Sequence, residues 1–367
     1  MVKDIYSVLR SEEKTVLSLR SLYERYGYKK YKMSKFEHYD LYSDNKSFLS
    51  SESIVTFADP KGKLLALKPD MTLSIVRNAP DDLSTPHKVY YCENVYRAPD
   101  PEQGIREIMQ VGIEYIGDMD LYAQTEVLTL ACRSLGEISG DFIMGISHLG
   151  IITALYDAAG LPQSGELRKK VSVCIADKNV HELTAICEKS GVESGYIRRF
   201  SSLAKLYGAP CKVHEALGET VDGCPAARKA ADELESICTV LVNEGYGANT
   251  AIDFSITNDM DYYNGITFLG FVDGVPQSVL SGGRYDSLVK KLGKNAGAVG
   301  FAVYPDRLEK LFSQNEERCH DDTVYLVYGD ASPDRVLSRA DLLSAAGHRV
   351  ICVKDAPKDK SLRTEKM

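Results

Sequence analysis

The sequence predicts an α+β fold, an antiparallel sheet flanked by helices, and three observations predict it. Apolar runs come in pairs separated by turn compositions, as hairpins require. Helical patterns stand between those pairs without the strict strand–helix alternation that builds a parallel sheet. The balance of 44% hydrophobic and 26% charged residues over 367 positions is that of a globular chain with a sizeable core, long enough for two or three domains.

Ser11 reads as an N-cap ahead of Glu12 and Glu13, and Val16, Leu19, Leu22, Tyr23 and Tyr26 recur at helical spacing up to Gly27, which predicts an amphipathic helix. The runs 53–58 and 63–68 flank Asp59, Pro60, Lys61 and Gly62 and predict a hairpin. The runs 87–97 and 106–116, rich in Val, Ile and Tyr, predict a longer hairpin across a loop containing Pro and Gly. A helix at 121–135, a strand at 142–147 and a helix at 149–159 follow. From about 162 to 246 strand signals fade while Ala, Leu, Lys and Glu recur at helical period, which predicts a helical insertion. Strands return at 250–256, 262–272 and 276–280, with Asp273 and Gly274 as a hairpin turn. Gly282 and Gly283 then lead into a helix at 285–292, and the run 297–304 leads into another at 305–312. The polar stretch 314–322 is linker-like, and 323–367 reads as a short C-terminal α/β element with a Lys-rich tail. The expected organisation is a main domain over 1–315, a linker over 316–322 and a C-terminal element over 323–367.

Composition also excludes function classes. Apolar runs stop far short of the ~20 residues that cross a bilayer, and residues 1–11 lack a basic region followed by an apolar block. Neither a membrane span nor a signal peptide is expected, and the cytoplasm is the default compartment. Nine cysteines form no CxxC pair, so free thiols are expected. The closest Cys/His pairs, Cys211 with His214 and Cys319 with His320, lack two further ligands at zinc spacing, so no metal site and no cofactor are expected. With 44 basic against 52 acidic side chains the net charge is −8, which argues against a chain whose main task is gripping a phosphate backbone.

Several segments carry chemistry, each beside a plainer structural reading. ALKPDMTLSIVR (66–77) places Asp70 and Thr72 at a strand-to-helix junction, where an acid and a hydroxyl commonly only cap the helix. ENVYRAPDPEQGIREIMQVGIEYIG (93–117) puts Arg97 at the end of one strand and Gln110, Gly112 and Glu114, spaced by two, on one face of the next. A cross-strand ion pair is the plain reading of Arg97 and Glu114; a polar floor for a zwitterion is the functional one. FSITNDMDYYNGITF (254–268) offers Tyr262 and Tyr263, which in a strand face opposite sides, one to the core and one to a pocket. VLSGGRYDSL (279–288) is neither a Walker motif nor GxGxxG, and its glycines permit a tight turn or close approach to a ligand. In GAVGFAVYPDRL (297–308) a strand runs toward Arg307, a surface cation or a phosphate ligand.

Together, in this order, the segments resemble the histidyl-tRNA synthetase family, which implies the class II aminoacyl-tRNA synthetase-like fold from about Tyr23 to Phe312. YRAPDPEQGIREIMQVG is similar to the family's motif 2 hairpin, GFAVYPDRL to its motif 3, and LKPDMT, MDYYNGITF and SGGRYDSLV to its histidine-specific elements. The resemblance implies histidine binding by Asp70, Thr72, Arg97, Gln110, Glu114, Tyr262 and Tyr263, and residual phosphate binding by Arg97 and Arg307. The chain departs from the family on the ATP side. Asn258 stands where the family has an arginine before the DYY element, and Pro99 and Ile108 stand where it has an adenine-reading acid and a stacking aromatic.

That split resembles the ATP phosphoribosyltransferase regulatory subunits, which share LKPDMT and the stretch SHLGIITALYDAAGL. This second resemblance implies a non-catalytic subunit of the first step of histidine biosynthesis, working with a short-form catalytic subunit and responding to histidine; a histidine-activating enzyme is the alternative. It also implies a homodimer within a hetero-oligomer, formed through the aromatic-rich region 32–50, where Phe36, Tyr39, Leu41, Tyr42, Phe48 and Leu49 lie. The plainer reading is that these aromatics cover the chain's own sheet. About 45 residues after the linker are too few for a full anticodon-binding domain, so tRNA is not an expected partner. Loss of the Asn258-position cation removes charge needed at the α-phosphate, so the purified protein should catalyse no histidine-dependent exchange of pyrophosphate into ATP; robust exchange would support the activating alternative.

Overall fold

The computed structural model describes residues 9–45, 54–81, 84–98, 104–163, 165–257, 262–309, 311–312, 323–359 and 362–367. Pro99, Asn258, Phe48, Leu49 and the expected linker 316–322 lie outside the described residues. The chain divides into two compact units, one spanning 12–308 and one formed by 309–367 with 1–11.

In the larger unit the strands are β1 (Lys29–Lys30), β2 (Phe36–His38), β3 (Thr56–Ala58), β4 (Leu64–Leu67), β5 (His87–Arg97), β6 (Arg106–Gly117), β7 (Phe142–His148), β8 (Tyr207–Gly208), β9 (Thr250–Asp253), β10 (Ile266–Val272), β11 (Leu280–Arg284) and β12 (Gly297–Val303). The principal sheet runs β1-β5-β6-β12-β11-β10-β7-β9-β8. Its six central strands pair antiparallel, as expected, while β1 on β5 and β9 on β7 pair parallel. The long hairpin β5–β6 sets Glu93 opposite Gln110 and Val89 opposite Glu114. Arg97 faces Arg106, so the cross-strand pair with Glu114 does not form.

Helices α1 (Ser11–Arg25), α2 (Asp40–Ser43), α3 (Thr72–Asn78), α4 (Leu121–Ile138) and α5 (Leu149–Ala158) pack around the sheet. In α1 the predicted face is buried at Leu19, Leu22 and Tyr23, with Tyr23 meeting Phe301 of β12 edge-on at 6.0 Å and Ser134 of α4 through its hydroxyl at 3.0 Å. Helices α6 (Glu166–Ala176), α7 (Val180–Lys189), α8 (Ser194–Lys205), α9 (Pro210–Val221) and α10 (Pro225–Leu241) form the insertion, and α10 packs along α5 and α4.

Two strand expectations need correction. The strand expected over 262–272 begins at Ile266, and the one expected over 276–280 runs instead over Leu280–Arg284, so Gly282 and Gly283 sit inside β11 rather than in a turn. The reason is spatial. A β-carbon on Gly283 would lie 2.7 Å from the Tyr263 ring, and one on Gly282, facing the opposite side of the sheet, would lie 2.6 Å from Phe268, so only glycines let this strand pair between aromatics on both faces.

The aromatic-rich region 32–50 is corrected too. Leu41 is 5% and Tyr42 0% exposed, and Tyr39 packs against the same apolar cluster with Met71, Leu73 and Val89, so these side chains cover the chain's own sheet. The exposed apolar surface lies on the small sheet β2-β4-β3, where Phe36 and Phe57 meet edge-on at 5.6 Å and Leu64 stands open. In the smaller unit, the strand Thr323–Val327, the helix Pro333–Ala345 and the strand Arg349–Val353 follow the sequence pattern. The tail adds an unexpected strand, Thr364–Lys366, paired parallel with Thr323–Val327. Backbone pairing on an open edge, not side-chain propensity, makes that strand.

Candidate functional site

A cavity of about 1370 Å³ opens between the principal sheet and the helical insertion. Its inner lobe holds Asp70, Thr72, Arg97, Gln110, Glu114, Tyr262 and Tyr263 along its wall; Arg307 is not among its lining residues. The Arg307 guanidinium stacks on Tyr304 at 4.1 Å and donates to the Ser278 carbonyl and hydroxyl.

The floor is set by sheet register. Glu114 of β6 lies opposite Gly300 of β12, and Gly300 lies opposite Gly283 of β11. Side chains in such a row share one face. With no β-carbon at Gly300, the Glu114 carboxylate lies over that backbone, in space a β-carbon would fill. Gln110 and Glu114 share the face that period two demands, and both are buried, at 4% and 2% exposure.

Glu114 is anchored from two sides. Thr72 Oγ1 donates to its Oε1 at 2.8 Å, and the Tyr285 hydroxyl donates to its Oε2. Asp70, one residue before the N-cap Met71, accepts from Leu73 N at 2.8 Å and so satisfies a first-turn amide of α3, while Thr72, two residues on, reaches the Glu114 carboxylate instead. Burial drives the Glu114 carboxyl up to about 8, against the two hydroxyl donors that lower it and with the Asp70 charge adding to the rise. Asp70 is also raised by burial, held back by the Leu73 N–H and by Arg97. Arg97 Nε donates to the Pro69 carbonyl at 2.9 Å. Gln110 carries no side-chain hydrogen bond among the described residues, and neither does the Tyr91 hydroxyl above Gly112; both face the cavity. An amide turned into a cavity without a protein partner is open to a ligand or to water.

The two tyrosines do not split between faces as a strand would place them. The chain at 262–265 leaves the sheet, held by Asn264 N on the Arg284 carbonyl at 3.0 Å, and both rings line the cavity, edge to face at 4.8 Å. Tyr285, two residues after the glycine pair in SGGRYDSL, was not among the sequence candidates; its nearness to that close-packed pair was the available signal. His148, Glu233 and Arg284 were also missed. His148 Nδ1 accepts from Gly150 N at 3.2 Å, so its Nε2 is the protonated nitrogen that meets Glu233 at 3.1 Å. Arg284 binds Asp286 at 2.8 Å and lies 3.7 Å from Glu233, which His148 holds below the usual carboxylate range. Glu233 sits on α10, and no local pattern announces a residue whose partners come from β7 and β11. Among the described residues no group of three His, Cys, Asp or Glu could hold a metal ion, eight cysteines are free thiols, and no helix is long and apolar enough to cross a membrane.

The histidyl-tRNA synthetase family model matches residues 7–308. Over 338 residues the chain is 30% identical to the ATP phosphoribosyltransferase regulatory subunit of Clostridium kluyveri, covering 90% of this chain and 85% of that protein. The chain belongs to the ATP phosphoribosyltransferase regulatory subunit branch of the histidyl-tRNA synthetase family. The regulatory subunit of Oceanobacillus iheyensis is 27% identical over 305 residues, covering 82% of this chain and 74% of that protein. In fold, an ATP phosphoribosyltransferase regulatory subunit/histidyl-tRNA synthetase structure from Bacillus halodurans superposes with a TM-score of 0.75 at 23% identity, covering 97% of this chain and 94% of the other. The class II synthetase-like α+β architecture expected from the motifs is the architecture of this branch.

The raised Glu114 carboxyl makes a signed prediction. A carboxyl held near 8 in the folded chain and near its ordinary value when unfolded binds more protons in the folded state, so stability falls as pH rises from about 4.5 to about 8. Glu114→Gln removes that loss, and the ligand-free variant should be more stable than wild type at pH 8, by on the order of 1–3 kcal/mol, with little difference at pH 5. Urea denaturation at both pH values measures this.

Proposed function

We propose that this protein is the regulatory subunit of an ATP phosphoribosyltransferase complex, binding histidine in the inner lobe without activating it and pairing with a short-form catalytic subunit in the cytoplasm. The observation that carries the histidine reading is the Glu114 site itself: a buried carboxylate fixed by Thr72 and Tyr285, with Asp70 beside it and an unpartnered Gln110 amide facing the same space. Two acids in a poorly solvated floor suit the α-ammonium and imidazole of histidine, and Arg97 at the lobe's edge suits its carboxylate. The ATP side supports a non-activating role, because Ile108 packs against the apolar cluster and Arg307, not among the residues lining the cavity, is engaged by Ser278 and by Tyr304 at the cavity wall. The relatives' name supplies the catalytic partner. We assign the exposed Phe36, Phe57 and Leu64 face to the contact between two copies of the chain, forming a homodimer within the hetero-oligomer.

Co-expression with the short catalytic subunit of the same organism should yield a co-purifying complex whose phosphoribosyl transfer histidine inhibits. Glu114→Ala should co-purify equally and keep the activity, while the histidine concentration for half inhibition rises at least about tenfold, a loss of about 1.4 kcal/mol. A variant inhibited as readily as wild type would remove the inner lobe from histidine control.

A further inference from the structure

The cavity does not end at the histidine pocket. Past His148, Glu233 and Arg284 it continues into a second lobe between α5, α6 and the start of α10. A volume of about 1370 Å³ exceeds the ~300–1,000 Å³ of sites that enclose a whole drug-sized ligand, so one amino acid leaves most of it unfilled.

The charge of this outer lobe is opposite to that of the inner one. Arg168, Lys169 and Lys229 line it, against one carboxylate of its own, Asp157. Asp157 is already engaged, accepting from Arg168 Nη2 at 2.5 Å. Arg168 is fixed further by a second bond to the Leu161 carbonyl at 2.9 Å and by stacking over Tyr156 at 5.1 Å, and its buried Nε has no hydrogen-bond partner. Lys169 and Lys229 are exposed and carry no ion pair among the described residues. In a chain of net charge −8, two unpaired lysines and a braced guanidinium converging on one lobe form a local positive field in an acidic molecule. The opening turn of α10, Pro225 and Ala226, faces the same space without a side-chain cap or an acidic residue, which adds partial positive charge.

We propose that the outer lobe is an anion subsite that takes the phosphate or diphosphate of a small metabolite, separate from the amino-acid pocket and independent of its reading. Planar Arg168 supplies orientation, and the two lysines supply point charges that adapt to more than one oxygen. The hydroxyl of Thr153 on the same wall suits a sugar attached to that phosphate.

The test titrates inorganic pyrophosphate into the full chain by calorimetry, with wild type and with Lys169→Glu combined with Lys229→Glu. Both lysines are on the surface, so the variant should fold as wild type does. Wild type should bind one pyrophosphate, more weakly as salt rises, and the variant should bind at least about tenfold more weakly. The histidine-induced rise in melting temperature, read on the same samples, should be equal in both. Absence of pyrophosphate binding at millimolar concentration, or equal binding by both proteins, would overturn the proposal whatever the histidine result. Lysine-dependent binding of a short duplex RNA with none of pyrophosphate would overturn it in favour of a polymer surface. Loss of the histidine response in the variant would overturn the separation of the two lobes.

Discussion

The structure depends on one costly placement, the carboxylate of Glu114 in the floor of the sheet. A carboxylate at 2% exposure has lost nearly all its water, and two hydroxyl donors replace only part of it, so the group retains a proton near neutral pH. Much of the surrounding sequence makes that placement sterically and chemically tolerable. Gly300 leaves the space the carboxylate occupies, α3 begins where Thr72 can reach it, and β11 ends so that the next residue, Tyr285, closes the other side. Such an arrangement has no folding advantage over an apolar floor, and on the proposed reading a cationic ligand restores the lost solvation.

From that point the architecture extends in two directions. On the sheet side, the β5–β6 hairpin and the glycine row fix the floor within regular secondary structure, where positions are held by backbone pairing rather than by loops. On the helical side, His148, Glu233 and Arg284 tie the end of β7, the body of α10 and the end of β11 into one polar contact. The insertion therefore meets the sheet at the boundary between the two lobes, and whatever fills either lobe touches elements joined by this contact. The family's scaffold is retained here, while Ile108, partly buried, packs against the apolar cluster beside the sheet; one fold can carry different tasks through its site.

Much of this was legible in the sequence because it is local. Period two on 110–114 places Gln110 and Glu114 on one face, the hairpins follow from their turns, and the helical insertion follows from a change of period. What was not legible is set by contacts distant in the chain. Tyr262 and Tyr263 lie outside the strand, with Asn264 N held on the Arg284 carbonyl, and Gly282 and Gly283 look like a turn until Phe268 on one face and Tyr263 on the other are seen against them. For Leu41 and Tyr42 the residues alone favour cover of the chain's own sheet and the family resemblance implies an interface; packing against Met71 and Val89 decides for core. Glu233 gave no local signal, since a lone acid on an amphipathic helix is ordinarily a solvated one.

The claim at the centre is that Glu114 waits protonated and ionises against a bound ammonium group. Calorimetric titration of histidine at pH 7 in two buffers of different ionisation enthalpy counts the protons exchanged on binding. A carboxyl near 8 that is driven to its charged form predicts net release approaching one proton per histidine. Binding with no proton release, or with net uptake, would contradict the account.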